Sequence, residues 1–133
     1  MNEVLNALPI DFDLVFLGGQ DQEEYTRPAN QYDEFATTSS PTGETLTWVK
    51  LNSNHLNTTS AYVISRKGAV GILRLLRQHL DRNEPLTAID GFLRQSSDFL
   101  DSYEIQTHIF HSPWDSPESD IRFPGFHESK IRN

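Results

Sequence analysis

Apolar and polar positions change period several times along the 133 residues, and each change marks an element. Residues 13–17, "DLVFL", form a continuous apolar run closed by Gly18 and Gly19, the pattern of a buried, parallel strand that ends in a turn. Residues 46–51, "LTWVKL", and 60–65, "SAYVIS", read as two further strands. At Ser65 the period shifts to that of a helix. Ala69, Ile72, Leu73, Leu76 and Leu80 fall on one face, Arg66, Lys67, Arg74 and Arg77 lie elsewhere, and Ser65 stands where an N-cap belongs. After a break at residues 81–85, Asp90 is placed to cap a second, shorter helix carrying Phe92 and Leu93, and residues 103–110, "YEIQTHIF", alternate as a last strand.

Between these elements the texture is looser. Residues 20–44 are rich in Asp, Glu, Gln, Thr, Ser and Pro and predict a variable surface loop, while Pro113, Pro117, Pro124 and Gly125 make residues 112–133 an irregular tail. No internal repeat or heptad is present. The order of elements predicts one α/β domain over residues 1–133.

Composition supports a packed core, with 36% hydrophobic and 11% aromatic residues. A formal charge of −8 argues against nucleic acid as a partner, because that affinity rests on clustered Lys and Arg. A nucleotide could still be held locally by a metal ion or a few placed cations. There is no cysteine, so neither a disulfide framework nor a thiolate site exists. No stretch approaches the roughly 18 apolar residues of a membrane span, and the first residues lack the basic and apolar regions of a signal peptide, so the chain reads as soluble, and as cytoplasmic if Met1 is the true start.

Few motifs carry chemistry. Asp11-Phe12-Asp13 spells D-x-D, but the pair precedes its strand instead of projecting from the far end, and it reads as a turn or structural element. His108 and His111 would point to opposite faces of one strand, so the spacing does not predict joint chelation. Asp90 has two readings: a helix cap, or an accessible carboxylate whose anionic form is favoured by the helix N-terminus and which could act as a general base.

In order, "DFDLVFLGG", "TTSAYVISRKGAVGILRLL", "PLTAIDGFL" and "HSPWDSPESDI" resemble the C-terminal half of glycosyltransferase family 25, which includes lipopolysaccharide-biosynthesis transferases and collagen galactosyltransferases. The sharpest element is "AYVISRKGA", residues 61–69. The resemblance implies part of a GT-A type, Rossmann-like nucleotide-sugar fold without its N-terminal half. It also implies inverting hexosyl transfer from a donor such as UDP-galactose to a hydroxyl on a glycan or protein, with an upstream segment needed for activity. Asp90 would be the base, Thr59, Tyr62 and Ser65 would line the sugar pocket, and His111 and Asp120 would lie in the metal, diphosphate or acceptor region, with His111 the candidate metal ligand. A divalent metal, Mn2+ by the same resemblance, would take its main ligands from the upstream half. The alternative is a non-catalytic binding module of the same fold.

Overall fold

The structure is a computed structural model and describes residues 2–19, 24–55, 61–86 and 88–111. Its elements are α1 (Asn2–Leu5), β1 (Leu14–Phe16), β2 (Gly18–Gly19), β3 (Phe35–Ser39), β4 (Thr45–Lys50), β5 (Tyr62–Ile64), α2 (Arg66–Asp81), α3 (Ile89–Ser96), β6 (Ser102–Ile105) and β7 (Phe110–His111). Five strands form one sheet in the order β3-β4-β6-β1-β5, and β2 pairs with β7 separately. The fold is mixed α/β, but the sheet is mostly antiparallel: β1 runs parallel to β6 and antiparallel to β5.

The continuous apolar run of β1 follows from burial on both faces. Leu14 and Phe16 face the helical layer, where Leu51, Phe92 and Leu93 complete a core that Ile72, Leu75 and Leu76 cover. Val15 and Leu17 face the other way, onto Trp48 and Ile105, under Val4, Leu8 and Phe12 of the N-terminal segment.

The junction of β5 and α2 has no loop because the strand end and the helix start share one partner, the backbone of Asp13. The Ser65 N–H donates to the Asp13 carbonyl at 3.0 Å, and the Ser65 hydroxyl accepts from the Gly68 N–H at 2.9 Å. Asp13 in turn accepts from the Asp101 N–H at 2.7 Å and pairs with Lys67 at 2.8 Å. The second carboxylate of D-x-D is therefore a buried brace between β1, β6 and α2, while Asp11 sits in a turn at φ +54°. Ser65→Ala is expected to lower stability by about 1 kcal/mol, the usual loss for an N-cap, as read from the urea midpoint.

Four sequence expectations are corrected. The buried face of α2 is set by Gly68, Ile72, Leu75 and Leu76, and Ala69, Leu73 and Leu80 turn outward, because the side-chain-free Gly68 lets the helix lie directly on Asp13. Asp90 is not the cap of α3: Ala88 takes that position, its carbonyl accepting from Phe92 N–H at 3.0 Å, and Asp90 is the second helical residue. The strand expected over 103–110 breaks after Ile105, where residues 106–108 pair with residues 25–27 and the Ile109 N–H donates to the Leu17 carbonyl, before β7 resumes. Within the span read as a surface loop, β3 forms an edge strand along all of its length against β4. Residues 112–133 lie outside the described residues.

Candidate functional site

The carboxyl end of the parallel β1–β6 pair continues into β2 and β7, with Gly19 opposite His111. A Cβ on Gly18 would overlap the Phe110 backbone, so glycine is what lets these two short strands close up. The backbone of His111 is therefore placed at this end of the sheet. Thr59 and Asp120 lie outside the described residues.

β5 is antiparallel to β1, so α2 starts at the opposite end, beside Leu14, and runs back toward the carboxyl end. α3 reverses direction along it: the His79 ring meets Phe92 edge-on at 5.7 Å, and Leu100 lies at Gly71. Asp90, half-buried in the first turn of α3, is thus near the C-terminal half of α2, while Ser65 is at its N-terminus. The structure separates these two candidates. The Ser65 hydroxyl is engaged by the helix it caps, and Tyr62 stands half-exposed with its ring 6.1 Å from that of Phe16.

Two polar constellations were not anticipated. Glu104, 1% exposed in the middle of the sheet, accepts from the Arg27 Nε–H and lies 3.2 Å from His108 Nε2, and the His108 ring packs at 4.9 Å on Tyr25. Burial pushes the Glu104 carboxyl up, but hydrogen bonds from His108 and Arg27 outweigh it and hold the group below its ordinary range. The available signal was an acid inside an alternating run of a strand covered on both faces.

The second constellation joins two turns. His55 Nδ1 accepts from the Asn52 N–H at 3.0 Å, which leaves Nε2 to donate to Asp33 at 2.9 Å. Asp33 also accepts from the Asn30 N–H at 3.2 Å. With both ring nitrogens committed, His55 is a clamp and has no lone pair to offer a substrate. Around it opens a cleft of about 710 Å³ bordered by Arg27, Asn30, Tyr32, Asn52 and Asn54. A second hollow of about 420 Å³ shares Tyr32, Asn52 and His55 and continues toward Lys50 and Asp101.

Among the described residues no helix is long and apolar enough to cross a membrane, and no three His, Asp or Glu side chains converge as a metal-holding group. No family model matches the chain, and neither curated proteins nor solved structures give a match.

Proposed function

We propose that the chain is the C-terminal part of an inverting glycosyltransferase resembling family 25, with a partial GT-A type fold, active together with an upstream segment. The observation that carries this reading is Asp90 half-buried in the first turn of α3, in a fold whose parallel β1–β6 pair continues at its carboxyl end into β2 and β7. Ligands of α/β sheets bind outside the carboxyl ends of parallel strands. In this reading Asp90 is the general base. It removes the proton of an acceptor hydroxyl as that oxygen attacks the anomeric carbon of the donor. The bond from that carbon to the nucleoside diphosphate breaks in the same step, with inversion.

The divalent ion of this reading would neutralise charge on the departing diphosphate, with its main ligands upstream and His111 and Asp120 in its vicinity. The described residues supply no converging ligand set of their own. The nucleotide-sugar donor and a glycan or protein hydroxyl are the partners.

The test is Asp90→Asn in the chain joined to its upstream segment, assayed for release of UDP from UDP-galactose in the presence of acceptor. Transfer is expected to fall by about a hundredfold or more with the melting temperature nearly unchanged. Undiminished transfer removes Asp90 from the mechanism, and absence of transfer with any upstream segment removes the transferase reading.

A further inference from the structure

We infer that the cleft between residues 27–33 and 52–55 is a binding site for a neutral saccharide. Its walls are held before any ligand arrives. Asn30 Oδ1 accepts from the Tyr32 N–H at 3.0 Å and Asn52 Oδ1 accepts from the Asn54 N–H at 2.8 Å, so each amide plane is pinned by its oxygen and its Nδ2 donors are left with a set direction. The His55–Asp33 contact then clasps one turn to the other. Fixed amide donors suit hydroxyl oxygens, and rigid walls spare the ligand the cost of ordering them.

Tyr32 supplies what the amides lack. The residue is 83% exposed on the rim shared by the two hollows, where an aromatic face can cover the C–H face of a pyranose. The volume of about 710 Å³ is ample for one or two sugar rings, and the adjoining hollow extends the track.

Charge separates this ligand from a nucleotide or an anionic sugar. Among the described residues that border the cleft the one Lys or Arg is Arg27, which is paired with Glu104, and Asp33 adds a second carboxylate, so a phosphate would meet net negative charge. The adjoining hollow repeats the balance, with Lys50 against Glu34, Asp98 and Asp101. A neutral, hydroxyl-rich ligand is the chemistry that fits. Saccharide binding here does not rest on the transferase reading: residues 52–55 follow Lys50, which pairs with Tyr103 at the amino end of β6.

The test needs no donor and no upstream segment. The chain is titrated with methyl β-galactoside, N-acetylglucosamine and lactose, and with inorganic phosphate as the anionic probe, while amide chemical shifts are followed. At least one saccharide is expected to bind with a Kd of about 1 to 10 mM and to shift the amides of residues 30–33 and 52–55. Tyr32→Ala is expected to weaken it about tenfold, and Asn54→Ala, whose side chain holds no turn, several-fold, both with unchanged circular dichroism. The inference is overturned if none of the three saccharides shifts these amides below about 50 mM, if both variants bind as the parent does, or if phosphate binds the cleft more tightly than the sugars.

Discussion

Gly68→Ala is expected to destabilise the domain by about 3 kcal/mol or more, although alanine is the better helix former by about 1 kcal/mol. An added Cβ would overlap the Asp13 carbonyl oxygen and lie 2.6 Å from the carbonyl carbon. Backbone of a central, fully buried strand cannot turn aside as a side chain can. To make room, the first turn of α2 must lift from the sheet, which stretches the 3.0 Å bond from Ser65 to Asp13 and the 2.8 Å pair of Lys67 with Asp13. The loss therefore combines overpacking with broken polar contacts. Gly71→Ala is the control, because its Cβ would meet only the end of the Leu100 side chain, at 2.8 Å, which can rotate. That variant is expected to stay within about 1 kcal/mol of the parent, the helical gain offsetting the repacking. Urea unfolding of both variants decides the matter: equal stability of Gly68→Ala and the parent would mean that α2 does not lie on Asp13.

The same glycine explains where sequence reading succeeded and where it failed. Period alone located β1, β4, β5 and α2 to within one or two residues, because each packs an apolar face against the core. It found Ile72 and Leu76 of the inward face of α2 but set that face with Ala69, Leu73 and Leu80 instead of Gly68 and Leu75, since a count of apolar side chains passes over a residue whose contribution is having none. β3 was invisible for a related reason: "FATTS" alternates weakly at an exposed edge, and its strand character comes from β4 across the turn at residues 40–44. The cleft was half legible. "NQYD" and "NSNH" are turn-forming Asn clusters, yet only the fold brings residues 33 and 55 into contact. Asp90 was found in sequence, but its place as second residue of α3 instead of cap depends on where the backbone turns helical, the least predictable property of a helix.

The buried ion cluster lay beyond any local pattern, because Arg27 and Glu104 are 77 residues apart, and it carries the last prediction. Glu104→Gln keeps the shape of the side chain but removes the buried carboxylate that faces the Arg27 charge, at an expected cost of about 2 to 4 kcal/mol near neutral pH. The lower end is favoured by partial access of Arg27 to water, its side chain being 20% exposed. Replacing both partners, Arg27→Met with Glu104→Leu, is expected to cost less than Glu104→Leu alone, because the charge that faced Glu104 goes with it. The pH dependence follows from the depressed folded-state pKa of Glu104. A carboxyl that ionises more readily folded than unfolded contributes stability in full above its unfolded value, near 4.5, and loses it as pH falls through the folded value. The gap in unfolding free energy between parent and Glu104→Gln should therefore narrow as the pH is lowered below about 4.5. Asp101, whose carboxyl is also held down, chiefly by Lys50, is common to both proteins and cancels in the difference. A gap that stays constant down to about pH 3 would mean that Glu104 is not ionised in the folded chain, and that Arg27 draws its compensation from elsewhere.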